Sequence, residues 1–169
     1  WRQIGLGIFG LADMLIKIGI TYGSNESIEL CDLIGHVMAD QAIKTSALLA
    51  EKESPYPMYK PECIEQSAFY SKNALGETKT LVESFGLRNS QLLTIAPTGS
   101  LSTMLGVSGG IEPVFANYYT RKTESLKGHD EYYKVYTPIV EEYMTKNNIS
   151  DDTELPEFFI TAQNLNYHN

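Results

Sequence analysis

The chain has 169 residues, a formal net charge of −8 and 43% apolar residues. That length and apolar content support a packed core rather than a disordered segment, and the acidity works against general nucleic-acid binding, because polyphosphate backbones are repelled. No apolar run approaches the ~20 residues a membrane-spanning helix needs.

Ile4, Ile8, Leu11, Leu15 and Ile18 follow a 4-3-4-3 spacing that predicts a helix from Ile4 to Ile18, stopped at Gly19. Ser24 or Asn25 caps a second, longer helix whose apolar face reads Ile28, Cys31, Ile34, Met38, Ala42, Thr45 and Leu49, ended by Pro55 and Pro57. Pro61 suits the first turn of a third helix through Ile64, Ala68 and Phe69, and a fourth is expected from Glu77 to Phe85, closed by Gly86. Leu92 to Ala96 reads as a short buried strand, and Val114 to Tyr119 as a second. Thr137-Pro138 starts a last clear helix that ends near Asn147-Asn148, and Pro156 to Ala162 is an apolar segment, helical or extended. The fold class is therefore α/β, mostly helical with two or three short strands, with no internal repeat and no domain boundary. So few strands make no stable sheet alone. The chain also opens on Trp1 inside a patterned segment and stops at Asn169 without a cap, so it is read as a piece of something longer.

Cys31 and Cys63 form no CxxC, and with His36, His129 and His168 as the only histidines no zinc spacing arises. Cys31 sits on an apolar helix face and Cys63 follows Pro61; both are expected to be structural, reduced thiols of a cytoplasmic protein. Gly5-Leu6-Gly7-Ile8-Phe9-Gly10 spells GxGxxG, yet only four residues precede it and no acid follows at the end of a strand, so tight helix packing through small residues is the expectation.

The densest chemistry lies after the first strand. In Pro97-Thr98-Gly99-Ser100-Leu101-Ser102 the glycine frees the backbone to turn, and Ser100 and Ser102 can cap a short helix through Met104 and Leu105. Hydroxyls and unpaired amides at such a point bind phosphate, though a plain strand-to-helix turn has the same composition. No GxxxxGK[ST] is present, so the loop is not a P-loop. Glu112, between Gly109-Gly110-Ile111 and Pro113, either faces a pocket or is a solvated loop acid, and Arg88-Asn89-Ser90 offers an ion-pairing arginine beside a loop-holding asparagine.

The stretch GLRNSQLLTIAPTGSLS, from Gly86 to Ser102, followed by GGIEPVFANYYTR, from Gly109 to Arg121, resembles the large catalytic subunit of ribonucleotide reductases. The form TIAPTGS is most similar to the class II, adenosylcobalamin-dependent members, and the opening WRQIGLGIFGLADMLIKIGITYGS is similar to a family segment packed on the barrel. The resemblance implies a single fragment, residues 1–169, of a ten-stranded α/β catalytic barrel. It implies that the loop after the strand holds the substrate diphosphate; carried over by position, the residues are Thr98, Gly99, Ser100, Leu101 and Ser102, with Pro97 shaping the turn. It also implies a ribonucleotide substrate, a thioredoxin-like reductant, adenosylcobalamin as the parent's cofactor with no contact assignable here, and a homodimer as one form of assembly.

The departures are equally definite. The family's radical cysteine sits in an Asn-x-Cys-x-Glu pattern that nothing here matches: Cys63-Ile64-Glu65 has the second half, but Pro61 stands where the asparagine belongs. The cysteine pair that re-reduces the family's site is absent as well, so the isolated chain is expected to be inactive. Two other readings stay open: a class I large-subunit fragment whose radical comes from a separate metal subunit, and a non-catalytic helical interaction module.

Overall fold

In a computed structural model, residues 1–124 and 130–165 are described. The elements in chain order are α1 (Leu11–Ile18), α2 (Asn25–Glu53), α3 (Pro61–Glu65), α4 (Ala68–Asn73), α5 (Gly76–Phe85), α6 (Gly99–Leu105), β1 (Tyr118–Glu124), β2 (Asp130–Tyr136), α7 (Pro138–Asn147) and a 3-10 turn at Asp152–Glu154. They fall into two compact units, residues 1–7 with 28–95 and residues 8–27 with 96–169.

In the first unit, Ile43 and Ala47 of α2 pack with Tyr56, Ala74, Val82, Leu87 and Leu92. The buried face of α2 carries Ala39, Ile43, Ser46, Ala47 and Ala50, one residue round from the predicted stripe, of which Ile28 and Leu49 are exposed. The pattern misleads because α2 has apolar residues on more than one side; close packing selects the side rich in alanine. Asp40, itself buried, accepts the Leu75 amide at 2.8 Å and so serves the start of α5, where no local side chain caps.

The end of α2 is held by Arg88. Its Nη1 donates to the carbonyls of Glu53 (2.7 Å) and Ser54 (3.0 Å), and its Nη2 to the Glu53 carboxylate at 2.7 Å. Asn89 fastens the same corner: its amide donates to Ser46 Oγ at 3.0 Å, and its Nδ2 to the Arg2 carbonyl at 3.0 Å. Both readings of Arg88-Asn89 thus apply together.

The segment from Ile4 to Gly10 is not helical. Ile4 to Leu6 instead run alongside Gln91 to Thr94, where the expected buried strand from Leu92 to Ala96 is reduced to a single parallel bridge between Leu6 and Leu93: the Leu6 amide donates to the Leu92 carbonyl and the Thr94 amide to the Leu6 carbonyl, each at 3.0 Å. Gly5 and Gly7 of GxGxxG therefore serve backbone contact with Thr94 rather than helix packing. A Cβ on Gly7 would lie 2.4 Å from the Thr94 carbonyl oxygen, so only glycine lets the two backbones approach this closely. The helix begins only at Leu11, after Gly10 turns the chain in the left-handed region at φ 79°. Leu6 and Ile95 remain exposed beside this pair.

The second unit centres on Ala12 and Ile16 of α1, Val114, Phe159, and Ile139, Val140 and Met144 of α7. β1 and β2 form an antiparallel pair with Tyr118 opposite Tyr136 and Glu124 opposite Asp130. The expected strand at Val114 begins only at Tyr118, because Val114 is a core residue of a loop whose carbonyl accepts the Ala162 amide at 2.8 Å. Lys134 on β2 lies 4.4 Å from the centre of the Tyr118 ring and pairs with Asp152. Pro138 starts α7 as expected, and Asn148 ends it in the left-handed region at φ 55°. Among the described residues, no helix is long and apolar enough to cross a membrane.

Candidate functional site

Within the second unit, a cavity of about 530 Å³ is lined by the loop residues Pro97, Gly99 and Ser102, by Ser108 and Gly109, and by Asp13 and Thr137 at helix starts. Its volume lies in the range of small-ligand sites, about 300–1,000 Å³. Two loops build its polar side, and they are laced together. Thr98, left-handed at φ 49°, accepts the Gly110 amide on its Oγ1 at 2.9 Å. A Cβ on Gly110 would lie 3.0 Å from the Ala96 carbonyl, and one on Gly109 3.1 Å from the Pro97 carbonyl, so the second glycine cluster is there to let the loops touch.

Each sequence-predicted residue has a distinct place. Pro97 lines the cavity at its exposed side, and Thr98 stands just before α6 with its hydroxyl spent on Gly110. Ser100 and Leu101 are exposed in the first turn of α6. Ser102 is buried, and its hydroxyl donates back to the Gly99 carbonyl at 3.1 Å, so it steadies the turn rather than capping it. Gly99 differs from the other loop glycines. Its φ is not positive, and an added Cβ would meet nothing within 4 Å. Nothing in the fold requires glycine there; Gly99 is exposed and lies on the rim of the cavity.

Sequence reasoning missed Asp13. On the first turn of α1 and buried, it accepts the Ser108 amide at 2.6 Å, while the Gly10 amide donates to the Ser108 carbonyl at 2.9 Å. Nothing in the sequence marked this role, because the helix expected from Ile4 to Ile18 placed Asp13 in its interior, whereas α1 begins only at Leu11. Glu112 is exposed, yet it lines the cavity with its Oε2 3.9 Å from the position of a Gly109 Cβ. Among the described residues, no group of three or more histidine, cysteine or acidic side chains is placed to hold a metal ion.

Both cysteines lie in the first unit, outside this cavity. Cys63 is exposed, whereas Cys31 is half-buried and burial pushes its thiol pKa up. Alkylation with iodoacetamide at neutral pH is therefore expected to label Cys63 several-fold faster, as read by peptide mass spectrometry; faster labelling of Cys31 would contradict the burial of α2.

The family model for the ribonucleotide reductase barrel domain matches residues 1–167. The chain belongs to the ribonucleotide reductase barrel-domain family. It is similar to the vitamin B12-dependent ribonucleoside-diphosphate reductase of Thermoplasma acidophilum, 37% identical over 120 residues, covering 71% of this chain and 14% of that protein. It is also similar to the ribonucleoside-diphosphate reductase subunit alpha of Chlamydia muridarum, 32% identical over 145 residues, covering 73% of this chain and 14% of that one. The chain thus spans about one seventh of the length of these curated relatives, at 14% each. In fold it is like the alpha subunit of the Actinobacillus ureae class Id ribonucleotide reductase, with a TM-score of 0.57 at 24% identity, covering 90% of this chain and 22% of that one. A mostly helical fragment of the reductase barrel domain with one two-stranded sheet is the fold class expected from sequence. Relatives of both kinds, B12-dependent and subunit alpha, match this chain in sequence.

Proposed function

We propose that the chain is part of a class II ribonucleotide reductase, to which it contributes the loop that receives the substrate diphosphate. The observation that carries this reading is the ligand-sized cavity on which Pro97, Gly99 and Ser102 of the loop lie, with Gly99 exposed and no side chain filling the space beside it. Ser100 and Leu101 do not line the cavity, but the exposed Ser100 hydroxyl and the backbone amides from Gly99 to Leu101 supply donors beside it, Pro97 shapes the turn, and Thr98 and Ser102 hold it. A local cluster of N–H donors attracts an anion even on a chain of net charge −8. The similarity to a B12-dependent relative supports adenosylcobalamin as the parent's cofactor and radical source. The cavity is far too small for a corrin with its nucleotide tail, so no residue of this chain is assigned to it. The radical cysteine and the cysteine pair that re-reduces the site belong, on this reading, to the rest of the parent.

The test is nucleotide reduction by the full-length parent with adenosylcobalamin and no second subunit, wild type beside Gly99→Val. The valine fits the fold but fills the space a phosphate needs, so KM is expected to rise about tenfold with kcat little changed, a loss of about 1.4 kcal/mol in binding. Unchanged KM in the variant would remove the loop from substrate binding. Turnover only with an added metal-containing subunit would move the parent to class I.

A further inference from the structure

A second cavity lies within the first unit, where α3, α4 and the last turn of α5 come together beside Pro55. Its volume is about 630 Å³, again in the range of small-ligand sites. Ile64, Val82 and Phe85 supply apolar lining, and the half-buried rings of Tyr59 and Tyr70 stand among them. Neither tyrosine hydroxyl makes a hydrogen bond among the described residues, and neither is sealed from solvent.

The two acids of this cavity are poorly placed for the fold alone. Glu83 lies in the last turn of α5, where the helix dipole presents its negative end and a cation is favoured. That turn holds no basic residue. Glu65 adds a second carboxylate from the last position of α3. Lys79 lines the same cavity, yet neither acid has a salt-bridge partner among the described residues. Two carboxylates against one ammonium leave the lining negative. Burial, then the charges of Glu83 and Glu65, push the Tyr70 hydroxyl pKa up, so both acids lie close to that ring and the phenol stays neutral. Burial likewise raises Tyr59, with its tyrosine neighbours and Glu65 adding to it.

An alkylammonium group answers each of these features. It donates to carboxylates, rests against the face of a tyrosine ring, and supplies the positive charge that the end of α5 lacks. The apolar lining suits the methylene groups that carry it. Because the acids come from two helices, a chain with more than one ammonium group neutralises both. We infer that this cavity binds a small aliphatic di- or polyamine, held by Glu65 and Glu83 through its ammonium groups and flanked by Tyr59 and Tyr70. The site stands apart from the phosphate reading, since none of its residues belongs to the loop from Pro97 to Ser102 and its walls repel an anion.

The test is equilibrium dialysis of labelled spermidine against the full-length parent at fixed ionic strength. Glu83→Gln and Tyr70→Leu are each expected to weaken binding about three- to tenfold. Lys79→Met should tighten it about twofold, by removing the competing ammonium. Glu141→Gln removes an exposed acid of α7 outside the cavity and should leave binding unchanged. Thermal unfolding supplies a reading that a purely structural acid would not give. Glu83→Gln should raise the ligand-free melting temperature, because a negative charge leaves the negative end of α5, and should remove most of the rise that spermidine gives the wild type. A lowered melting temperature in Glu83→Gln with unchanged spermidine binding overturns the inference by making the acid structural. Equal losses in Glu83→Gln and Glu141→Gln overturn it as diffuse attraction to an acidic surface. Wild-type protein that binds no spermidine overturns it outright.

Discussion

Gly7→Ala is expected to cost the first unit about 3 kcal/mol, the upper range for forcing an extra carbon into a packed contact. The added Cβ would sit 2.4 Å from the Thr94 carbonyl oxygen, a backbone atom that cannot rotate away. The two extended segments must separate, and the hydrogen bonds on either side of the Leu6–Leu93 bridge lengthen with them. Hydrogen–deuterium exchange in the parent would read this locally, as roughly 100-fold faster exchange at the Leu6 and Thr94 amides. Gly5→Ala is the control. Its Cβ would meet Thr94 Cγ2 at 2.7 Å and Thr94 Cβ at 3.1 Å; turning the threonine relieves the first contact but not the second, so a smaller effect than at Gly7 is expected. Equal effects at both positions would mean that backbone contact is not what Gly7 is for.

Arg88→Ala is expected to cost about 2–3 kcal/mol, the scale of hydrogen bonds to a charged donor. One guanidinium serves two main-chain carbonyls at the end of α2, and its side chain is only 18% exposed. Removing it strands those carbonyls beside the corner that Asn89 also holds. Lysine has one nitrogen where arginine has a planar fork, so Arg88→Lys should recover less than half of the loss. The Glu53 carboxylate is 60% exposed, and water and salt screen that pair. Glu53→Gln should therefore cost less than about 0.5 kcal/mol. Thermal unfolding of the three variants separates the cases: a Glu53→Gln loss as large as that of Arg88→Ala would assign the corner's stability to the ion pair instead of the carbonyls.

The legible parts of this fold were those with local causes. Prolines and caps delimit α5 and α7 in the sequence almost where they stand, and the loop before α6 announced itself by its hydroxyls. Ile4 and Ile8 misled, because apolar residues four apart satisfy a helix and, through Leu6, an alternating strand equally well. The partner that decided the matter, Leu93, is remote in the chain, and no local pattern carries it. β2 escaped for a related reason: Tyr132 and Tyr133 point to opposite faces of a two-stranded ribbon exposed on both sides, so no alternation marks it. At the candidate site, the loop could be read from its residue types. The role of Asp13 could not, because it arises from a hydrogen bond to Ser108, remote in the chain.

The Thr98–Gly110 hydrogen bond has a thermodynamic consequence for any ligand of this cavity. Two free loops would each lose backbone entropy when they closed on a guest, and that loss would be subtracted from the affinity. Here the threonine hydroxyl and the close glycine contacts have already fixed the loops against each other. The guest meets a preorganised surface, and the ordering cost was met once, when the chain folded.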